Sequence, residues 1–405
     1  MSKDSPTTRA EAFETKAPNL GRAITGAFCT GLIGIGLARF AYTPLLPAII
    51  EAHWFRPSDA AYLGAANLAG YLAGALLGRP VSARLSVVGV LRAMMVLATV
   101  SFFACGFPLS FLWFFGWRFA AGLAGGAMMV IAAPTVLSHV PALRRGLAGG
   151  LIFMGVGVGT VVSGTLIPFL LKIGLEETWF SLGALSLLLT AIAWSGWPAG
   201  PPPFVPAAEH THTRQTSALR ARYIEYGLNA VAWVPHMIFL VDFVARGLGR
   251  GVALGAEFWI TFGVSATLAP ILTGYVADRI GFGPALRAAF LLQIAALAIP
   301  ACNLVSTPLL ALSSIIIGAS ITGTVTLVLG RIHELLPHRP AEQKAAWSVA
   351  TVAFASFQAA AAYGFSFVFA HSGGNYQLLF VIGAIAMALA FAIDVSCSLR
   401  VRVER

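Results

Sequence analysis

Long apolar runs fill most of this 405-residue chain, and they constrain its fold more than any other feature. Hydrophobic residues make up 58% of the sequence and charged residues only 10%, so the chain cannot cover itself with a polar surface in water. A helix needs about 20 apolar residues to cross a hydrocarbon core. We count twelve such segments, at residues 22–49, 59–78, 87–107, 110–138, 146–171, 177–197, 223–245, 254–277, 285–304, 308–331, 344–369 and 376–399. The sequence therefore predicts an all-α integral membrane protein in a lipid bilayer.

An internal repeat divides the twelve segments into two sets of six. The loop Gly78-Arg-Pro-Val-Ser-Ala-Arg84 follows the second segment, and a similar loop, Gly274-Tyr-Val-Ala-Asp-Arg-Ile-Gly281, follows the eighth. A proline-rich and then polar stretch separates the two sets. Duplication of this kind is common among membrane transporters. We therefore predict a tail at residues 1–21, a six-helix bundle at 22–197, a linker at 198–222, a second six-helix bundle at 223–399 and a tail at 400–405.

Basic residues are distributed unequally between the two sides of the predicted bundle. With the N-terminus in the cytoplasm, 20 of the 26 Lys and Arg residues fall on the cytoplasmic side and only four lie in outer loops. The positive-inside rule then predicts a multi-pass protein of the inner membrane, with both termini and the linker in the cytoplasm. The net charge of +10 reflects this topology rather than nucleic-acid binding. The four cysteines lack the spacing of metal ligands, and we expect neither a metal nor a cofactor.

Two arginines, Arg39 and Arg118, lie inside apolar segments. An Arg at the centre of a membrane helix costs roughly 2.5–3.5 kcal/mol on insertion scales, so it normally faces a water-filled cavity or a partner. At about 1.5 Å per residue, the two arginines differ in depth by only about 4–5 Å. Tyr42 and Thr43 share the helix face of Arg39, and a cation beside hydroxyl groups suits a carboxylate. A structural hydrogen-bond hub is the alternative for each arginine.

The seventh segment carries the candidate titratable groups. Asn229, Trp233 and His236 fall at spacings of four and seven on one face, and histidine changes charge near physiological pH. His236 and Asp242 are our candidates for proton coupling, although they could pair only if the helix were broken between them. The alternative for Asp242 is a place at the outer helix end, near Arg246.

A mixed polar and aromatic stripe follows one face of the eleventh segment. It consists of Trp347, Thr351, Phe354 and Gln358. Such a stripe is either a wall of a substrate site or ordinary helix packing. We count Trp347 and Gln358 among the substrate-binding candidates. The others are Arg39, Tyr42, Thr43, Arg118, Asn229, Trp233 and His236.

Several motifs resemble those of the major facilitator superfamily. The loop Gly274-x-x-x-Asp278-Arg279-x-Gly281 is similar to the signature loop that the superfamily carries between helices 2 and 3 and between helices 8 and 9. Arg118-x-x-x-Gly122-x-x-Gly125 resembles its helix 4 motif, and Gly155-x-Gly157-x-Gly159 resembles its glycine-rich helix 5. The segment 36–47 is similar to the bacterial branch of YbfB/YjiJ-like transporters. The resemblance covers essentially the whole chain and implies the major facilitator fold, with a cavity lined by helices 1, 4, 7 and 10.

The signature loop implies a gating role for four residues: Gly274, Asp278, Arg279 and Gly281. A carboxylate at an inner helix end can pair with a basic loop or a helix N-terminus and hold one conformation shut. The alternative is a simple topology anchor. In the first half of the chain the acidic position of the loop is occupied by Ser82, so the same latch is not expected there.

The resemblance and the two arginines together predict a function. We expect a secondary active transporter that acts as a monomer and moves a small organic anion of the carboxylate type by alternating access, coupled to protons. A proton-driven multidrug efflux antiporter is the alternative, although Thr160 stands where such antiporters carry a proline. The sequence has no nucleophile elbow, zinc-protease motif or phosphate loop, so we do not expect an enzyme. A receptor or channel fits the internal duplication less well.

Overall fold

The computed structural model describes residues 20–141, 144–198, 217–337 and 339–403. These residues form twelve helices that are long and apolar enough to span a membrane, and they contain no strand. The helices are α1 Leu20–Glu51, α2 Pro57–Arg84, α3 Val87–Cys105, α4 Phe111–Leu137, α5 Arg145–Leu170, α6 Leu175–Ala193, α7 Ala218–Gly247, α8 Gly251–Ile280, α9 Phe282–Ala301, α10 Thr307–Leu335, α11 Pro340–His371 and α12 Tyr376–Val403. The predicted all-α membrane fold is confirmed.

The helix boundaries differ most from the prediction at polar helix ends. α2 continues to Arg84 rather than ending near residue 78, and α7 includes residues 218–222, which we had assigned to the linker. Hydropathy detects only the apolar part of a helix, whereas the helix itself can continue where polar side chains find partners or water. In α7 the buried Arg222 is paired with Glu225 and Asp394. Most of the predicted N-terminal tail and residues 199–216 of the predicted linker lie outside the described residues.

The two sets of six helices pack in equivalent ways. In the first half α4 contacts α2 and α3, and α6 contacts α3; in the second half α10 contacts α8 and α9, and α12 contacts α9. Between the halves α5 packs on α8 and α2 packs on α11, and these two interfaces are also equivalent under the repeat. This is the predicted arrangement of two six-helix pseudo-repeats. Because α1 begins and α12 ends on the same face of the bundle, we call that face the terminal side and the other face the opposite side.

Helices α1 and α7 are both broken near the middle. α1 widens into a π-helix at Leu32–Leu37, turns at residues 38–41 and resumes at Tyr42. α7 is π-helical at Pro235–Phe239 and again at Phe243–Gly247. Pro235 lacks the N–H that a regular helix requires. Irregular backbone at membrane depth is tolerated where protein buries it or where it lines a cavity, so the two breaks mark the place to search for a site.

The two halves are closed on the opposite side. Among the described residues, the hydrogen bonds and ring contacts that join the halves lie at the level of Arg39 or nearer the opposite side. α5 and α8 approach closely there, since a Cβ added to Gly263 would stand 2.8 Å from the backbone nitrogen of Val161. Farther towards the terminal side, a Cβ added to Gly150 or Gly274 would meet no atom within 4 Å. The side-chain contacts that join the halves are therefore concentrated on the opposite side.

Candidate functional site

A small pocket lies between the halves at the breaks in α1 and α7. Its lining comes from α1, α2, α4 and α7, so α2 contributes where the family resemblance had led us to expect α10. The lining residues are Arg39, Tyr42, Thr43, Gly64, Asn67, Leu68, Arg118, Met237 and Ile238. Four of the predicted substrate-binding residues thus surround one pocket: Arg39, Tyr42, Thr43 and Arg118. The enclosed space is about 10 Å³, room for about one water molecule, so a larger ligand requires the lining side chains to move apart.

Arg39 lies in the turn that interrupts α1, and its side chain stays partly exposed. The guanidinium carbon stands 5.2 Å from the ring centre of Tyr71 and 5.4 Å from that of Phe40. Nη2 donates to the Met237 sulfur at 3.6 Å, and the buried Nε has no partner among the described residues. A thioether is a weak acceptor. Most of the hydrogen-bonding capacity of Arg39 is therefore available to a ligand.

Arg118 is more tightly built into the protein. Its side chain is 2% exposed, Nη1 donates to the Ala38 carbonyl at 2.7 Å, and the guanidinium carbon lies 4.5 Å from the ring centre of Tyr42. Its Nε also has no partner among the described residues. Arg118 thus ties α4 to the turn in α1 while keeping part of its donor set unpaired, so it serves as a structural link and also adds charge to the pocket.

The hydroxyl groups of Tyr42 and Thr43 are already engaged with backbone carbonyls. The Tyr42 hydroxyl donates to the Ala60 carbonyl at 2.7 Å, and the Thr43 hydroxyl donates to the carbonyl of Met237. The second bond links α1 directly to the π-helical break of α7. Both residues therefore shape the pocket and fix its walls, rather than offering a free hydroxyl proton to a ligand.

Among the described residues, no acidic side chain lines the pocket, and neither Arg39 nor Arg118 forms an ion pair. Two cations held close together without a counter-charge repel one another, and burial strengthens that repulsion. An unpaired buried charge is also costly in its own right. The pocket is therefore electrostatically suited to an anion.

Met237 connects the pocket to α11. Its sulfur accepts from Arg39 on one side and from Nε2 of Gln358 at 3.6 Å on the other. Gln358 is 1% exposed. It does not line the pocket itself but contacts Met237, which does. The rest of the α11 stripe packs on α7: the rings of Trp347 and Tyr226 are 6.1 Å apart. This part of the stripe serves as helix packing in the structure.

The three polar residues predicted on one face of α7 do share a face, but it points away from the pocket. Nδ2 of Asn229 donates to Oε1 of Gln293 in α9 at 2.6 Å, and Nε1 of Trp233 donates to the same oxygen at 2.8 Å. His236 reaches the hydroxyl of Ser313 in α10 at 2.9 Å. These residues therefore lie inside the second half, and they do not line the pocket that contains Arg39 and Arg118.

The partners of His236 define its tautomer. The Ser313 hydroxyl donates its proton to the Ala296 carbonyl at 2.7 Å, so it can only accept from the histidine. Nε2 of His236 must therefore carry the proton, and Nδ1 is buried without a partner among the described residues. The ring also packs edge-on against Phe380 at 5.1 Å. The ring nitrogen without a hydrogen bond to a described residue is therefore Nδ1.

Asp242 sits near the opposite side, between α7 and α12. It accepts from the Tyr376 hydroxyl at 2.5 Å and pairs with Nε of Arg246 at 3.3 Å. The break in α7 does not bring Asp242 to His236, because the two side chains have separate partners. The alternative interpretation of Asp242, a helix-end residue near Arg246, describes its contacts in this conformation.

The loop between α8 and α9 has the geometry of a turn. Gly281 ends α8 with φ at +86°, in the region that favours glycine, and its N–H donates to the Ala277 carbonyl at 2.8 Å. Arg279 lies over the Tyr275 ring at 3.9 Å. Asp278 is exposed and has no hydrogen bond or ion pair with any described residue. The predicted latch is therefore unpaired in this conformation.

The sequence reasoning missed two features. Asn67 of α2 lines the pocket, although an Asn in an apolar helix is itself a polar anomaly and could have marked it. Arg222, Glu225 and Asp394 form a buried charge cluster that Arg287 joins through Asp394 at 2.5 Å. Arg287 lies in the sequence Leu-Arg-Ala, which recurs in the first half at residues 91–93. The equivalent residue there, Arg92, instead donates to the Trp194 carbonyl. The cluster joins α7, α9 and α12 within the second half.

Comparison with known proteins gives a family and a fold. The family model described as "Uncharacterised MFS-type transporter YbfB" matches residues 31–395. Among solved structures, a D-xylose–proton symporter is similar with a TM-score of 0.68, 16% identity and coverage of 92% of this chain and 96% of the other. A bacterial homolog of the human lysosomal transporter Spinster has a TM-score of 0.68, 16% identity and coverage of 93% and 95%. The nucleoside transporter NupG has a TM-score of 0.70, 13% identity and coverage of 93% and 99%. No curated protein sequence matches the chain.

Proposed function

The chain belongs to the YbfB-type family of the major facilitator superfamily, and from this premise we propose that it carries a small organic anion of the carboxylate type across the membrane by alternating access. Its fold is that of secondary transporters and its twelve helices make it a multi-pass membrane protein. The substrate class, the coupling ion and the orientation of the chain in the membrane are our proposals.

The observation that carries the proposal is the pair of guanidinium groups without a counter-charge. Arg39 and Arg118 line one pocket in which no acidic side chain takes part, and each keeps a buried Nε without a described partner. Guanidinium groups match the planar geometry of a carboxylate. Organic cations, which multidrug antiporters often carry, would meet repulsion in the same place.

Alternating access is supported by where the halves touch. On the opposite side they are joined by Thr43 bound to Met237, by Phe40 packed on Trp259 and by Tyr62 packed on Tyr363. Towards the terminal side, a Cβ added to Gly150 of α5 or Gly274 of α8 would meet no atom within 4 Å. If the opposite-side contacts opened and the terminal ends of α5 and α8 came together, the pocket would be reached from the other face, as expected for a fold built of two rocking repeats.

Proton coupling is assigned to His236 or Asp242. Both lie on α7, which is broken beside the pocket, and both are buried. A proton on His236 would add a charge next to Phe380, and a proton on Asp242 would weaken its pairing with Arg246. Either change would alter the contacts that α7 makes and could thereby bias the two conformations.

The cellular arrangement follows from the charge distribution. We assign the terminal side to the cytoplasm of a cell with an inner membrane, because most basic residues fall on that side. The contacts that join the halves would then lie towards the outer side. We assign the transport unit to the monomer, because the pocket is built from both halves of one chain. The domain boundaries are assigned near residues 197 and 217.

Uptake into proteoliposomes tests the proposal. The purified protein is reconstituted, a pH gradient is imposed, and accumulation of labelled acetate, propionate, lactate and succinate is measured. We expect at least one acid to accumulate in the wild type and Arg39→Ala to abolish it. His236→Gln or Asp242→Asn should stop accumulation driven by the pH gradient while leaving counterflow exchange intact.

The same assay distinguishes the alternatives. Transport of organic cations or neutral drugs in preference to acids, or full activity of Arg39→Ala, would refute the anion assignment and support multidrug efflux. Gradient-driven accumulation that survives in both α7 variants would refute the assignment of proton coupling to these two residues. Ser314→Ala is a suitable control on α10, because its hydroxyl donates only to a carbonyl one turn away in its own helix.

A further inference from the structure

The amide of Asn67 is held in one orientation. Its nitrogen lies 3.3 Å from the carbonyl oxygen of Ala38 and 3.2 Å from that of Arg118. Carbonyl oxygens can only accept hydrogen bonds, so the atom facing them must be the amide nitrogen. The side-chain oxygen, Oδ1, then points the other way. Asn67 is 1% exposed, and Oδ1 is buried without a partner among the described residues.

This orientation leaves one kind of interaction for a ligand. Both N–H groups of the Asn67 amide are used, so only an acceptor remains. A carboxylate also has only acceptors and cannot satisfy Oδ1. Asn67 and Arg118 bind the same carbonyl, that of Ala38, at 3.3 and 2.7 Å. Oδ1 of Asn67, which has no described donor, and the guanidinium of Arg118, which has unused donors, therefore both lie near the carbonyl oxygen of Ala38 in one small pocket.

Resting on the proposed function, we propose that the site selects hydroxycarboxylates and that Asn67 is the residue that sets this specificity. The guanidinium groups of Arg39 and Arg118 hold the carboxylate, and Oδ1 of Asn67 accepts the hydroxyl proton of the same molecule. A site built to bind a hydroxyl discriminates against the analogue without it, because its buried acceptor is then left unpaired.

The chemistry of the pocket also excludes an ammonium group as the donor. An ammonium would require a nearby carboxylate, and the lining has none. It would instead stand close to two guanidinium groups, and like charges repel strongly in a buried site. Amino acids should therefore be poor ligands, although their ammonium group carries suitable N–H donors. A neutral hydroxyl on a short acid is the donor that fits.

The test compares four acids of similar size by equilibrium binding to the purified protein: lactate, propionate, 2-methoxypropionate and alanine. One neutral hydrogen bond corresponds to about fivefold in affinity. We expect the wild type to prefer lactate to propionate by at least about that factor, and to bind 2-methoxypropionate and alanine no better than propionate. The methoxy acid keeps the oxygen and lacks the donor, so the wild-type series tests the idea without any variant.

The variant Asn67→Leu removes the acceptor with little change in side-chain shape. We expect it to lose the preference for lactate while its affinity for propionate stays within about twofold. A variant that merely loosened the contacts between α1, α2 and α4 would weaken both acids alike. Ser314→Ala, whose hydroxyl donates to a carbonyl of its own helix outside the pocket, should keep the preference.

The outcomes separate the inference from the function on which it rests. If no acid binds in a manner that depends on Arg39, the carboxylate function itself is wrong. If lactate and propionate both bind through Arg39 with equal affinity, or if Asn67→Leu keeps the lactate preference, the assignment of Asn67 is wrong and the carboxylate function stands.

Discussion

The variant Arg39→Lys separates the binding of an anion from the folding of the protein. Lysine keeps the positive charge, but its ammonium cannot present two parallel N–H donors as a guanidinium does. Arg39 is the better of the two arginines for this change. Its contacts within the protein are two ring contacts and one weak bond to a sulfur, whereas Arg118 holds a backbone carbonyl.

The size of the effect follows from these contacts. A hydrogen bond between charged groups contributes about 1.5–3 kcal/mol, and a change of 1.4 kcal/mol is tenfold in affinity. Losing one of two such bonds to the carboxylate should therefore weaken binding by about 10- to 100-fold. A cation over a ring contributes about 0.5–1 kcal/mol at a partly exposed site, and lysine retains part of it. The free energy of unfolding should thus fall by less than about 1 kcal/mol.

Affinity and stability are measured on the same purified samples. Binding is followed by titration with whichever of acetate, propionate, lactate or succinate binds the wild type most tightly, and stability by thermal unfolding without ligand. Arg92→Lys is the matched control. Like Arg39, Arg92 lies near an aromatic ring, 4.8 Å from the ring centre of Trp194. It donates to the Trp194 carbonyl and is remote from the pocket. It should keep wild-type affinity.

Three results would contradict this reasoning. If Arg39→Lys binds the acid as tightly as the wild type, the planar guanidinium is not what holds the carboxylate. If Arg39→Lys and Arg92→Lys weaken binding equally, the loss is a general consequence of removing a guanidinium and says nothing about the pocket. A large loss of thermal stability in Arg39→Lys would show that Arg39 is a structural hub.

Two further predictions concern conformation and topology. Asp278→Asn should shift the population towards the conformation that is open on the terminal side by about twofold to fivefold, the range expected for an exposed ion pair; spin labels at positions 150 and 274 report this as a longer distance, and unchanged distances would contradict the latch. Substrate affinity should stay nearly constant. In a cysteine-free background, a cysteine at His53 should react only from outside the cell and one at Thr213, which lies outside the described residues, only from the cytoplasm; the reverse pattern would overturn the orientation.

Much of the candidate site could be found from the sequence because its residues break a strong local rule. Arg39 and Arg118 were conspicuous as charges in apolar segments, and their similar depth predicted that they could reach one place. The structure puts both in the lining of one pocket, with Tyr42 and Thr43. Asn67 breaks the same rule more weakly, since an amide is less costly to bury than a charge, and it was missed.

Helical periodicity was a poorer guide to direction. Asn229, Trp233 and His236 were correctly placed on a common face, but periodicity does not say which neighbour that face meets. The structure turns the face towards Gln293 and Ser313 inside the second half. Its pairing of Asp242 with Tyr376 was likewise not predictable, because Tyr376 lies 134 positions further along the chain.

The sequence by itself determined the number of spanning helices, their division into two sets of six and the family, because the bilayer forces each helix to satisfy its backbone hydrogen bonds locally. A requirement that each helix meets within its own segment can be seen in the sequence of that segment. Only the tertiary structure decided which polar groups meet, since those partners come from distant parts of the chain. Arg39 and the sulfur of Met237 are 198 positions apart, and their contact exists only because two broken helices cross at the same depth. The orphan oxygen of Asn67 depends in the same way on two carbonyls that other helices supply.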